Sequence, residues 1–138
     1  MIELNDYFIH NGVDRREQYL CDASIELNVV TLLTRVNALI EAYQAATGNT
    51  FNGRINSGWR PPEINACTPN AAAKSKHMTG QAIDLNDDDG DIDEWLMTEQ
   101  GQKIMADVHL WHEHPSATKG WAHLQSVAPN SGRRTFYP

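Results

Sequence analysis

The chain has 138 residues, 41% of them hydrophobic and 21% charged, with a formal net charge of −7. That length buries a substantial apolar core as one domain, and two cysteines exclude a disulfide-dense scaffold. The acidic balance argues against a general nucleic-acid binder, which presents a basic surface. No apolar run approaches the roughly 18–20 residues of a membrane span. The start Met1-Ile2-Glu3-Leu4-Asn5-Asp6 lacks the basic and apolar regions of a secretion signal. The expectation is one domain over residues 1–138, monomeric, with no nucleic-acid or membrane partner.

The first 20 or so residues mix apolar and charged types without a period and predict a short helical arm or loop on the core. Ile25, Val29, Leu32, Val36, Leu39, Ile40 and Tyr43 recur at steps of three and four, the period of an amphipathic helix. Asp22 or Ser24 can cap its start, and Gly48 suits its left-handed end. Arg54 to Ser57 reads as a short strand, and Pro61 to Asn65 as a brief helix, since proline suits a first turn. Residues 67–76 are a polar loop. Gln81–Asn86 and Trp121–Gln125 alternate like strands. Asp91 to about Asp107 predicts one helix, or two broken near Gly101, and His109–Glu113 a further strand stopped by Pro115. The fold class expected is α+β, a small antiparallel sheet packed against the long N-terminal helix.

The alternation carries chemistry. Ala82, Asp84 and Asn86 share one face of their strand, opposite Ile83 and Leu85; Trp121, His123 and Gln125 share a face opposite Ala122 and Leu124. If the apolar faces cover the helix, Asp84 and His123 project together on the other side. His77, in a loop containing Gly80, can fold back over the strand end. Two histidine nitrogens and one carboxylate oxygen, with an open fourth position, make a catalytic rather than a structural zinc site. With 6 histidines and 18 acidic residues, spacing alone does not single this triple out.

Three blocks do. Ser57-Gly58-Trp59-Arg60-Pro61-Pro62, Ser75-Lys76-His77-Met78-Thr79-Gly80-Gln81-Ala82-Ile83-Asp84 and Trp121-Ala122-His123 resemble the signature blocks of the M15 family of zinc peptidases. These are D-Ala-D-Ala carboxypeptidases and L-alanyl-D-glutamate endopeptidases of bacterial peptidoglycan, and they share a fold with the Hedgehog signalling domain. The pattern S-x-H-x-x-G-x-A-x-D matches at every fixed position, and the stretch from Trp111 to Trp121 looks most like the small phage-encoded members. The resemblance implies that His77, Asp84 and His123 ligate one zinc ion. It implies that Arg60 lies beside the substrate, where its guanidinium suits a carboxylate or a developing oxyanion. Ser75 would orient the His77 loop on the substrate side, Gly80 would allow the tight turn, and Trp121 would adjoin the cleft.

The chain departs from many members at the general base. Where they carry Glu or Asp three residues before the last ligand, this chain has Gly120. The group that takes the proton from the attacking water is then sought in His112-Glu113-His114, with Glu113 first and His114 second. A rival assignment makes His112 and His114 an H-x-H ligand pair, as in lysostaphin-like relatives, which would leave His123 unemployed.

The function expected is zinc-dependent hydrolysis of peptidoglycan stem peptides by a phage endolysin-type domain. It would be made in the host cytoplasm and act in the periplasm or wall after release. The alternatives are a catalytically silent metal- or wall-binding module and a virion component using the same fold. Other features are read as scaffold. The acidic run Asp87 to Asp91 fails as a calcium loop, because aligning its glycine puts Leu85 and Leu96 at ligand positions. Cys21 and Cys67 are expected to be buried small hydrophobes, and Trp95 core. Trp59 and Trp121 are divided between core and cleft wall. His10 and His109 have no argued role. Arg133 and Arg134 are candidates for holding anionic wall polymer.

Overall fold

The computed structural model describes residues 1–138. The N-terminal arm is α1 (Leu4–Phe8), a two-stranded hairpin of β1 (Ile9–His10) and β2 (Val13–Asp14), and α2 (Arg15–Gln18). Tyr7 and Phe8 are fully packed in the core, and the Tyr7 hydroxyl donates to the Ala82 carbonyl at 2.7 Å, so the arm is part of the scaffold.

The long helix is α3 (Ala23–Thr47), with the Asp22 side chain accepting from the amides of Ser24 and Ile25 and Gly48 closing it in the left-handed conformation. By length and composition alone α3 would pass for a membrane span, which corrects the expectation that no apolar run approaches one. One face of it, Val29, Leu32, Val36 and Leu39, is fully buried in the protein core.

The chain then builds β3 (Ile55–Ser57), α4 (Pro62–Cys67), a 3-10 turn over Lys76–Thr79, β4 (Ala82–Asp87), α5 (Asp91–Leu96), α6 (Glu99–Asp107), β5 (Trp111–Glu113), a second 3-10 turn over Pro115–Ala117, β6 (Gly120–Gln125) and β7 (Thr135–Phe136). The α+β class is as expected. The five-stranded sheet has the order β3-β4-β6-β5-β7, and its β5–β7 pair is parallel, so it is mixed rather than wholly antiparallel. Ile83, Leu85, Ala122 and Leu124 join the α3 residues in one apolar cluster.

Two expected boundaries shift. The helical break falls at Met97 and Thr98, where the Thr98 hydroxyl caps α6. Gly101 lies inside α6, where a Cβ would come within 2.2 Å of the Trp95 carbonyl oxygen, so its smallness serves a close helix corner. β5 begins at Trp111 rather than His109, because His109 is left-handed (φ 56) and closes the turn after α6. The Asp87 carboxylate accepts from the amides of Ile92 and Asp93 at 3.0 and 2.9 Å, so the acidic run is a helix cap. Cys67 is exposed and Cys21 half-buried, so neither is the buried hydrophobe expected. Trp59 is core, 1% exposed.

Candidate metal centre and cleft

Antiparallel pairing of β4 with β6 sets Asp84 directly across from His123. Because side chains alternate along both strands, the two project from the same face. His77 comes from the 3-10 turn before β4, which the Ser75 hydroxyl caps by accepting from the His77 amide. Gly80 ends that turn at φ 72; a Cβ there would meet Val29 Cγ2 at 2.7 Å and the Ile25 carbonyl at 2.8 Å. The turn is therefore pressed on α3, and His77 is held over the strand end.

The donor atoms of His77, Asp84 and His123 lie within 4.8 Å of one another, and the group could hold a metal ion. Asp84 Oδ1 is 3.3 Å from His77 Nε2 and 2.8 Å from His123 Nδ1. The outer ring nitrogens settle which atoms face inward. His77 Nδ1 lies 2.8 Å from the Gly58 carbonyl oxygen, to which it can only donate, leaving Nε2 with its lone pair toward Asp84. His123 Nε2 lies 3.4 Å from Gln125 Oε1. The Gln125 amide is oriented by its own donation to the Val127 carbonyl at 2.6 Å, so Nε2 donates here and Nδ1 is the inward atom. Two imidazole nitrogens and one carboxylate oxygen this close together form a donor set that a divalent metal ion could take.

The electrostatics follow. Burial pushes the His77 imidazole down despite the charge of Asp84. At His123 burial acts the same way, but the Asp84 hydrogen bond and charge outweigh it and the net direction is up. Burial penalises the Asp84 anion, yet the two histidines hold its carboxyl well below the ordinary carboxylate range. The Asp84 carboxylate and the neutral His77 are in the protonation states a metal requires, whereas a metal would have to displace the proton that His123 shares with Asp84.

Glu113 is the next group outward. The β5–β6 register pairs Trp111 with Gln125 and His112 with Leu124, so one rung further Glu113 reaches His123; its Oε2 lies 3.9 Å from His123 Nδ1. Burial pushes the Glu113 carboxyl above its ordinary range, with His123 pulling it back. Its neighbours face elsewhere. His112 is fully buried behind the sheet, with Nε2 2.7 Å from Asp93 Oδ1, and Asp93 also accepts from Thr118. His114 Nδ1 caps the following 3-10 turn by accepting from the Ser116 amide, and its ring stacks on Tyr137 at 4.4 Å. The H-x-H ligand pair is thus overturned: pleating sends His112 away from the cluster, and His114 is engaged in its own turn. His114 does not line the cleft and so stands away from the position expected of a second-choice base.

The cluster and Glu113 floor a cleft of roughly 430 Å³ that Arg60 and Trp121 also line. Arg60 Nη2 donates to the Ser75 hydroxyl at 3.0 Å, while its buried Nε–H has no partner. Ser75 therefore serves both Arg60 and the His77 turn. Arg134, a candidate for wall polymer, instead lies over the Trp111 ring at 4.5 Å and is a structural staple. Sequence reasoning missed Gln125 and Phe136. Gln125 carried a signal, two residues after His123 on the same strand face. Phe136 carried none, because a parallel pairing from the tail brings it in. No protein-family model, curated protein or solved structure matches the chain.

Proposed function

We propose that the protein is a zinc-dependent peptidase acting on the stem peptides of bacterial peptidoglycan, of the phage endolysin type. The observation that carries this reading is the convergence of His77 Nε2, Asp84 Oδ1 and His123 Nδ1 at the cleft floor, with the Glu113 carboxylate 3.9 Å from the last of them. Peptidoglycan as the polymer rests on the resemblance of the three sequence blocks to cell-wall peptidases.

Zinc, when bound, would polarise the scissile carbonyl and make water a stronger acid near neutral pH. Glu113 takes the proton from the attacking water and passes it to the leaving amine, the general base and then acid on one carboxyl. Its raised pKa suits both halves of that task. Arg60, held by Ser75 with an unmet donor, stabilises negative charge on the substrate. Trp121 walls the cleft.

The test is digestion of purified peptidoglycan by the zinc-loaded protein, with and without chelator, and mass spectrometry of the products. New stem-peptide fragments that disappear with chelator and return with zinc are expected. Zinc-loaded protein that leaves every muropeptide intact would leave a binding or assembly module instead.

A further inference from the structure

The rung that carries the candidate chemistry does not stop at Glu113. Parallel pairing sets Glu113 beside Phe136, so Asp84, His123, Glu113 and Phe136 follow one another across β4, β6, β5 and β7. Two strand spacings separate β6 from β7, about 9–10 Å. The Phe136 and His123 rings nonetheless approach to 6.3 Å between centroids, edge to face. The two rings therefore lean toward each other across the strand that carries Glu113, and Phe136 lines the cleft.

The strap that presents this ring is firmly held. The amides of His112 and His114 donate to the carbonyls of Arg134 and Phe136 at 2.9 and 2.7 Å. Arg134 covers Trp111 and donates to the Leu110 carbonyl at 2.9 Å. Gln102 donates to the Thr135 hydroxyl at 2.7 Å. A wall fixed at this many points resists displacement by a ligand.

We propose that Phe136 is a specificity-determining wall that admits only a short side chain on the substrate residue supplying the leaving amine. This rests on the peptidase reading, through the assignment of Glu113 as the group that protonates that amine. The cations of the cleft, Arg60, Lys74 and Lys76, come from the segment joining β3 to β4, the opposite side of the row. The acyl side of the substrate thus runs toward the cations and the leaving residue toward Phe136.

The test measures binding of two phosphinate pseudodipeptides to zinc-loaded protein, with alanine or leucine following the phosphinate, in wild type, Phe136→Ala and Arg134→Ala. Wild type is expected to bind the alanine form at least about tenfold more tightly. Phe136→Ala should bring the two within about threefold with zinc stoichiometry unchanged, and Arg134→Ala, which frees the strap, should fall between. An unchanged preference in a folded, zinc-loaded Phe136→Ala overturns the proposal, as does a wild type that favours leucine or binds neither form. Digestion of peptidoglycan reports separately on the peptidase reading, which survives any of these outcomes if chelator-sensitive fragments appear.

Discussion

Asp84 and His123 face each other across β4 and β6, and Asp84 Oδ1 lies 2.8 Å from His123 Nδ1. The same oxygen is 3.3 Å from His77 Nε2, so one carboxylate joins two imidazoles that reach it from a turn and a strand. Neither histidine has another acidic partner that close. A cation placed among the three would replace a proton and link segments distant in sequence.

One zinc per chain is therefore expected, and its removal should loosen the fold. At free zinc one hundred times the dissociation constant, binding adds about 2.7 kcal/mol to stability. Calorimetry should show a Tm lower by several degrees with chelator. His77→Ala should show the lowered Tm without chelator and no further fall when chelator is added. A wild-type Tm that stays put while the zinc is demonstrably stripped would show that metal does not brace these elements.

Glu113→Gln keeps the shape of the side chain and removes its basicity. Zinc content and Tm should hold while turnover of muropeptides falls about 10²-fold or more. His114→Ala is the matched comparison and should retain most activity, because His114 lies outside the cleft and stacks on Tyr137. The opposite pattern, an active Glu113→Gln and a dead His114→Ala, would reassign the base.

Gln125 should set the tautomer of His123. Gln125→Leu removes the acceptor for Nε2–H and should weaken zinc binding about 10–100-fold in a chelator competition. Gln125→Glu keeps an acceptor and should restore affinity to at least the wild-type level. Equal affinities in all three proteins would mean that the 3.4 Å contact orients nothing.

At the start of α3, the Ser24 hydroxyl and the amides of Ile25 and Ser24 hold the Asp22 carboxyl below its ordinary range. A carboxyl whose folded pKa is depressed adds stability above its unfolded value, about 3.9. That contribution fades as pH falls through the lower folded value. Asp22→Asn should therefore melt below wild type at pH 7, and the gap should close as the pH falls below the folded value. A gap that is constant with pH would assign the effect to packing rather than charge.

Much of this molecule is written locally. The 3.6-residue recurrence from Ile25 to Tyr43 defines α3 because helix geometry places those side chains on one stripe. The period-two alternation of residues 81–86 and 121–125 likewise separates Asp84 and His123 from Ile83 and Leu124 before any partner strand is known. Other decisions belong to the tertiary structure alone. Which of His112, Glu113 and His114 meets the cluster depends on a strand register, and a shift of one residue exchanges the faces of every side chain. The break between α5 and α6 at Thr98 depends on a corner where Gly101 meets the Trp95 carbonyl. Phe136 reaches the cleft only because β7 pairs in parallel with β5, a contact between segments more than twenty residues apart. Periodicity follows from covalent geometry and is legible in any short window, whereas register and parallel pairing are energies of surfaces that meet only when the chain is folded.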